Sequence, residues 1–236
     1  MVMIVCAMKL EAKPFLRALD NKRIKKHGEL RVYHGRIAGV DVMVACCGVG
    51  MRRAAANIQS LIDSVGPSQI VMSGTAGGID AKLKIGDTVV SDELIYHEIV
   101  GDLPIQDGLS MDGLPFKADA ALLECASKAI KEKPPEHSVY FGRISTGKSF
   151  VRGEAFDYII SKCNPLCTDM ESAAVAHVCQ INSVPFIAVR SMSDTREVSG
   201  LSNFFKYASL ASKNSFIVVR ALLAALPEQQ DSAASS

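Results

Sequence analysis

Short, continuous apolar runs alternate along the chain with segments in which apolar residues return every three or four positions. Runs such as Val2–Met8 and Gln69–Ser73 predict strands that are buried on both faces. Apolar residues at helical spacing over Ala54–Ile62 predict a helix that Gly66 ends. The same patterns predict a helix over about Lys9–Leu19, a hairpin of Leu30–Ile37 and Val40–Cys47, strands at Asp87–Asp92, Val139–Ser145, Cys167–Met170 and Phe186–Met192, and helices at Glu171–Gln180 and Asn203–Leu226.

This order of elements predicts an α/β fold: a single domain with a central mixed, twisted β-sheet flanked by helices. Repeated strand–helix–strand units favour a parallel sheet, and the hairpin makes it mixed. No linker interrupts the pattern, so we assign residues 1–226 to one domain and residues 227–236 to a polar tail. The longest irregular segment, Gly101–Pro115, has the character of a lid or an interface segment.

Composition excludes several classes of protein. The chain has 236 residues, is 48% apolar and carries a net charge of +1, so neither nucleic acid nor an anionic membrane is an expected partner. No apolar run approaches the ~20 residues of a bilayer span and no signal peptide is present, which favours a cytoplasmic protein. Seven cysteines without a C-x-x-C motif indicate reduced thiols, and we expect no metal and no cofactor.

Candidate chemistry lies at the predicted carboxyl ends of the strands, where α/β sheets collect ligands. Glu11, Glu171, Asp194 and Arg190 all fall there, and so do two glycine-rich stretches. Each residue alone also has a structural interpretation, because a glutamate in the first turn of a helix suits the helix dipole and an aspartate often caps a turn. Dinucleotide and triphosphate motifs are absent from the sequence.

Seven segments, in their order and spacing, resemble the purine nucleoside phosphorylase/uridine phosphorylase superfamily, and within it the methylthioadenosine/S-adenosylhomocysteine nucleosidases. One such segment would be a weak signal, but the ordered set extends from residue 2 to the final helix. The segments are Cys6–Glu11, Cys47–Gly50, Ser73–Gly78, Ile85–Asp92, Ser145–Phe150, Asp169–His177 and Val189–Asp194.

The resemblance implies a role for each matching residue. Glu11 would activate water, Glu171 would bind the ribose hydroxyls, and Asp194 would donate a hydrogen bond to purine N7. Thr75, where the family usually has Ser, and Arg190 would help to hold the water. Phe150 would stack on adenine, the Val151 main chain would read its edge, and other positions would surround the sugar and its 5′ substituent. The implied substrate-binding residues are Met8, Val49, Gly77, Phe150, Val151, Met170, Ser193 and Phe204.

The activity that the resemblance implies is hydrolysis of the N-glycosidic bond of 5′-methylthioadenosine and S-adenosylhomocysteine, and also of 5′-deoxyadenosine. For this, Asp194 must be neutral, so its pKa must be raised by an apolar site or by nearby carboxylates. Three alternatives stay open: a phosphate-dependent phosphorylase, an aminodeoxyfutalosine hydrolase of menaquinone synthesis, and a non-catalytic nucleoside-binding protein. Glu11 would repel phosphate, and the run Ile70–Met72 just before Ser73–Thr75 contains no arginine, which favours water as the nucleophile.

Two departures from the family leave the preferred substrate open. Lys148 replaces an acidic or small residue beside Phe150, and the Gly101–Pro115 segment is shorter than in some relatives. In this family that segment contributes to the neighbouring subunit's site. The resemblance therefore implies a homodimer with Gly101–Pro115 near the site of the second subunit.

Overall fold

A computed structural model describes residues 1–98 and 115–227 of the chain. The predicted segment Gly101–Pro115 lies outside the described residues except for Pro115, and the tail does so from residue 228. The strands in the described ranges are β1 (Val2–Cys6), β2 (Asp20–His27), β3 (Leu30–Ile37), β4 (Val40–Cys46), β5 (Gln69–Gly78), β6 (Thr88–Tyr96), β7 (Phe116–Lys117), β8 (Val139–Thr146), β9 (Cys167–Asp169) and β10 (Phe186–Thr195). The helices are α1 (Lys9–Ala18), α2 (Met51–Val65), α3 (Ala120–Glu132), α4 (Ala155–Cys163), α5 (Ser172–Ile181) and α6 (Leu201–Ala225).

The strands form one mixed sheet, which confirms the predicted fold class. At its centre β1 runs parallel to both β4 and β5, with Ile4 opposite Val44 on one side and Val71 on the other. Every residue of β1 is buried, as its continuous apolar run predicts for a strand covered on both faces. β4, β3 and β2 continue outward as antiparallel neighbours, and β2 forms the edge of the sheet.

The other half of the sheet closes on itself. β10 pairs in parallel with β5 and antiparallel with β6, and β6, β8, β9 and β5 pair in turn. Five strands therefore form a closed barrel-like circuit. The other strands, β1, β4, β3 and β2 in that order, extend outward from β5. The sequence pattern predicts a mixed, twisted sheet but not this closure, because pairing between strands distant along the chain leaves no local signal. Closure brings the ends of β5, β9 and β10 to the same place.

Helices cover the sheet on both faces and enclose two main apolar clusters. α2 and α5 cover one face through residues such as Ile58 and Val175. α1, α3 and α6 cover the other face, where Phe15 of α1 meets Phe216 of α6 edge-to-face with ring centres 5.0 Å apart. Within the described residues, α6 is the helix long and apolar enough to cross a membrane by length and composition, and half of its most apolar window is buried.

The structure corrects several predicted elements. Strand β2 was not predicted, because its sequence DNKRIKKH is polar throughout and almost fully exposed at the sheet edge. Helices α3 and α4 were not predicted either. The segment Gly74–Gly78, predicted to be a turn after a strand, belongs to β5 itself. Strand β10 likewise extends beyond Met192 to Thr195, so Asp194 lies in a strand and does not cap a turn.

The same substitution at two isoleucines tests this burial pattern. We expect Ile4→Ala to lower the free energy of unfolding by about 2–5 kcal/mol, because Ile4 is fully buried at the centre of the sheet. We expect Ile24→Ala to change it by less than about 0.5 kcal/mol, because Ile24 is 55% exposed on β2. Urea denaturation of both variants measures the difference. Equal losses would contradict the position of β1 in the core.

Candidate active site

The described residues enclose a cavity of about 210 Å³ at the carboxyl ends of the central parallel strands. The turns after β1, β4 and β8 contribute to its wall, together with β5, β10 and the starts of α5 and α6. The lining residues are Ala7, Met8, Glu11, Val49, Thr75, Ala76, Gly77, Ser149, Phe150, Val151, Phe156, Thr168, Asp169, Met170, Glu171, Ser193, Asp194, Leu201 and Phe204.

Glu11 lies in the first turn of α1 and is 1% exposed. Its Oε2 accepts the N–H groups of Ala7 and Met8, both at 3.0 Å. Its Oε1 accepts the N–H of Thr75 at 2.8 Å and the Thr75 hydroxyl at 2.9 Å. Glu11 therefore accepts four hydrogen bonds, two at each oxygen. Only the ionised carboxylate accepts at all of these positions, because a protonated oxygen must itself donate. The arrangement fixes a buried negative charge at the cavity wall.

Glu171 is the residue immediately before α5, and it lines the same cavity as Glu11. Its Oε1 accepts the N–H of Gly50 at 2.8 Å. Gly50 has φ +92°, a conformation that favours glycine, so the turn after β4 is shaped to present this N–H. Burial raises the pKa of Glu171 to about 7, and the charges of Asp169 and Glu11 act in the same direction against Arg190. The side chain can therefore gain or lose a proton near neutral pH.

Arg190 differs from the other predicted site residues because it does not line the cavity. The side chain is fully buried in β10, behind the carboxylates. Its Nε lies 2.7 Å from Asp169 Oδ2, its Nη2 3.4 Å from Glu171 Oε2 and its Nη1 3.9 Å from Glu11 Oε1. Burial alone would lower the pKa of this guanidinium, but the three carboxylates outweigh burial and raise it. Arg190 thus holds the acidic side chains in place as a permanent cation.

Asp194 reaches the cavity through an irregularity of β10. The register against β5 shifts between Met192 and Asp194, so Ser193 is the extra residue of a bulge that redirects the following side chain. The Ser193 hydroxyl donates to Asp194 Oδ1 at 2.8 Å. Burial raises the pKa of Asp194 to about 6, although the hydrogen bond from Ser193 opposes the shift. The predicted rise is confirmed in direction, and its cause is burial.

Two glycines of β5 leave room for these side chains. A Cβ atom at position 74 would lie 2.5 Å from Arg190 Nη1 and 2.6 Å from Glu11 Oε1, which no real contact allows. A Cβ atom at Gly77 would lie 3.1 Å from Asp194 Oδ2. The glycines in this stretch therefore serve close packing between the strand and the charged side chains, and not a turn.

Apolar side chains form the remainder of the cavity. Val151 and Phe156 are buried and pack in a small cluster with α4. The Arg152 guanidinium lies 5.4 Å from the centre of the Phe150 ring, within the range of a cation–π contact. At the rim, Val49 is 48% exposed and Leu201 is 51% exposed. The cavity thus has apolar side chains both along this part of its wall and at its opening.

Every predicted site residue except Arg190 lines the cavity, and Arg190 lies behind the wall in contact with Glu11 and Glu171. Four larger lining residues were not predicted from the sequence: Phe156, Thr168, Asp169 and Leu201. Thr168 and Asp169 directly precede Met170 and could have been found from that position, whereas Phe156 lies on the unpredicted helix α4. Lys148 does not line the cavity; its N–H donates to Glu98 Oε1 at 3.1 Å.

The described ranges contain no group of three or more His, Cys, Asp or Glu side chains arranged to hold a metal ion. All seven cysteines lie in these ranges and are free thiols. Burial raises the pKa of Cys47 beside Glu171, which keeps that thiol neutral. The titratable groups of the cavity are therefore its carboxyl groups.

Comparison with known proteins gives one consistent result. The sequence profile of the phosphorylase superfamily matches residues 1–224. A 5′-methylthioadenosine/S-adenosylhomocysteine nucleosidase of Tolumonas auensis is 30% identical over 230 residues, which are 93% of this chain and 97% of that protein. A crystal structure of such a nucleosidase from Colwellia psychrerythraea 34H, in complex with adenine, has a TM-score of 0.85 at 29% identity and covers 95% of each chain.

A futalosine hydrolase of Helicobacter pylori strain 26695 shares the fold, with a TM-score of 0.84. It is 24% identical to this chain, and the match covers 95% of this chain and 97% of that one. At this identity the likeness concerns the fold alone.

The two raised carboxyl pKa values can be measured directly. In ¹³C NMR spectra of the unliganded protein, we expect one glutamate to titrate near pH 7 and one aspartate near pH 6, because both are desolvated. Glu171→Gln should remove the first signal and Asp194→Asn the second. Titration of both residues at their ordinary values would contradict the buried positions described above.

Proposed function

This chain belongs to the phosphorylase superfamily, and on that basis we propose that it is an N-ribohydrolase. Its substrates are 5′-methylthioadenosine and S-adenosylhomocysteine, with 5′-deoxyadenosine as a further one, and its products are adenine and the 5-substituted ribose. The observation that carries the proposal is the meeting of Glu11, Glu171 and Asp194 in a cavity whose described lining contains no lysine or arginine.

Cleavage of an N-glycosidic bond has two electrostatic demands. Positive charge develops on the ribosyl ring as in other glycoside hydrolases, and negative charge develops on the departing purine. Ionised Glu11 and Glu171 would stabilise the ring. A neutral carboxyl group is needed at the purine. The pKa of about 6 for Asp194 brings its neutral form within reach near neutral pH.

Asp194 would donate its proton to purine N7. Adenine then leaves as a neutral molecule, which lowers the barrier to cleavage. Phe150 and Val151 line the same cavity and provide an apolar slot, and the Ser193 hydroxyl orients the Asp194 carboxyl group by its hydrogen bond to Oδ1. The slot and the acid thus favour a purine as the leaving group.

Glu11 would orient and deprotonate the attacking water. Of the four donors on its oxygens, three are fixed N–H groups, and the Thr75 hydroxyl is the one that can rotate. That hydroxyl can turn aside and accept from the water while Glu11 accepts the water's proton. Arg190 would act behind Glu11, so we assign it to positioning and not to direct contact with water.

Glu171, which lines the cavity, would bind the ribose hydroxyls. Met170, the residue before it, also lines the cavity and would pack on the sugar. Met8, Val49 and Phe204 surround the opening, where an apolar 5′ substituent would lie. This arrangement suits a nucleoside whose base enters first and whose 5′ group remains near the rim.

Water is favoured over phosphate by the charge of the wall. A phosphate dianion needs arginine, lysine or several free N–H donors. In the described residues, the arginine nearest the nucleophile position is Arg190, which is fully buried and is bound to carboxylates. The N–H groups near Glu11 are taken by its own oxygens. A dianion would meet two buried negative charges.

A homodimer is part of this proposal. The rim of the cavity exposes Val49 and Leu201, and Phe205 next to it is 74% exposed, so a second subunit would remove apolar surface from water. The residues of Gly101–Pro115 would lie near the neighbouring site. Light scattering coupled to size-exclusion chromatography should give about twice the monomer mass of 25.3 kDa. A monomer at enzyme concentrations that show full activity would contradict the dimer.

The test of the function is a phosphate-free assay in which adenine is separated by chromatography. We expect adenine from 5′-methylthioadenosine and S-adenosylhomocysteine without added phosphate. Glu11→Gln should lower kcat by about 10²–10⁴-fold and leave binding of a nucleoside analogue intact, because it removes the base and keeps the size of the side chain. Glu124→Gln, at an exposed position on α3, is the matched control and should have no effect.

Each other outcome of this assay assigns a different function. Strict dependence on phosphate would make the protein a phosphorylase. Faster cleavage of aminodeoxyfutalosine than of either thio-nucleoside would make it a hydrolase of that compound. Calorimetric binding without any release of adenine would make it a nucleoside-binding protein.

A further inference from the structure

Asp169 is a buried carboxyl group to which the mechanism above gives no role. It is the last residue of β9, is 7% exposed and borders the cavity beside Met170. Its Oδ2 lies 2.7 Å from Arg190 Nε, whereas the contacts of Arg190 with Glu171 and Glu11 are 3.4 and 3.9 Å. The shortest ion pair of the buried cation is therefore with a carboxylate that has no assigned role in the reaction, although the Nε–H itself is donated to the Ser172 hydroxyl at 3.0 Å.

The second oxygen of Asp169 is held on three sides. Oδ1 accepts the Thr146 hydroxyl at 2.6 Å, the N–H of Glu171 at 3.2 Å and the N–H of Ser172 at 3.1 Å. Two of these donors are N–H groups at the start of α5 that have no acceptor within the helix, so Asp169 caps this helix. The carboxyl group is thus rigid, and it connects the backbone that presents Glu171 to the side chain of Arg190.

The geometry of a guanidinium transmits this rigidity. The group is planar, so a partner that fixes the direction of Nε also fixes the directions of Nη1 and Nη2. Nη2 points to Glu171 Oε2, and Nη1 donates to the Thr75 carbonyl oxygen at 3.4 Å on the side of Glu11. The Nε–H itself is donated to the Ser172 hydroxyl at 3.0 Å, and Asp169 Oδ1 accepts the N–H of the same serine. The orientation of the guanidinium relative to both glutamates therefore depends on Asp169 through the ion pair and through Ser172.

The charges around Glu171 do not balance. Arg190 is the cation in direct contact with it, and the carboxyl groups of Glu11 and Asp169 face the same guanidinium. Cys47, on the segment after β4, is a neutral thiol, and Gly50 contributes only its N–H. One positive charge is thus divided among three acidic groups, and its closest contact is with Asp169.

We propose that Asp169 is a positioning residue that orients Arg190 and withholds part of its charge from Glu171. The kinetic consequence of this role rests on the proposed nucleosidase function, whereas its electrostatic consequence does not. Without Asp169 the guanidinium would turn towards Glu171 and would favour the ionised form of that side chain. The reaction would lose the alignment of the two glutamates, and the pKa of Glu171 would fall.

The test compares Asp169→Asn with Thr146→Val in the full-length protein. Asn keeps the size of the side chain and removes its charge, whereas Val at position 146 removes a hydrogen bond to Asp169 and leaves the charge. In ¹³C NMR titrations, Asp169→Asn should lower the pKa of Glu171 by about one unit or more, and Thr146→Val should leave it raised. In the phosphate-free assay, Asp169→Asn should lower kcat by about 10²-fold with a smaller change in KM.

A third variant covers the case in which Asp169→Asn does not fold. Asp169→Glu restores the carboxylate, so Glu171 should again titrate above its ordinary range and kcat should recover in part. An unchanged Glu171 titration in Asp169→Asn, or an ordinary one in Asp169→Glu, would overturn the inference. A wild-type protein that releases no adenine would instead overturn the proposed function, and the titration would still decide the role of Asp169.

Discussion

The buried guanidinium of Arg190 is the interaction on which the site depends. Removing an arginine from water is costly, and the charge is tolerated only where carboxylates surround it. Glu11, Asp169 and Glu171 supply them from three separate elements, and Gly74 leaves the space in which they meet. Loss of Arg190 would leave three buried acidic groups without a cation. The carboxylates of the site are consequently held in place by the same ion pairs that stabilise the buried charge of Arg190.

The proton affinities of its carboxyl groups give the cavity its chemistry. Burial is the main reason that the pKa of Glu171 is raised to about 7, and the charges of Asp169 and Glu11 add to the rise while Arg190 opposes it. Asp194 lies apart from this cluster, and burial alone raises its pKa. Burial thus raises the pKa of both carboxyl groups, and only Glu171 has charged neighbours that contribute. In the proposed reaction Asp194 holds the proton for the purine, while Glu11, which accepts four hydrogen bonds, takes one from water.

Much of the fold could be predicted from sequence, and the exceptions have a physical cause. β1 is a continuous apolar run because both of its faces are buried. The apolar residues of α2 recur at helical spacing because only one face of that helix is buried. Strand β2 has no such pattern, because an exposed edge strand buries neither face. The acidic residues of the site could be proposed from their positions at strand ends and from the resemblance to a known family. Asp169 was within reach by the same reasoning and was missed, whereas the burial of Arg190 behind the wall could not be foreseen.

The sequence by itself determined the class of fold and the three acids that meet in the cavity, since both are recorded in short local segments. Tertiary structure alone decided how these segments act together. Closure of the sheet between β5 and β10, the bulge at Ser193 and the division of one guanidinium among three carboxylates all join residues far apart along the chain. Proton affinity depends on burial and on neighbouring charges, and these exist only after the chain has folded.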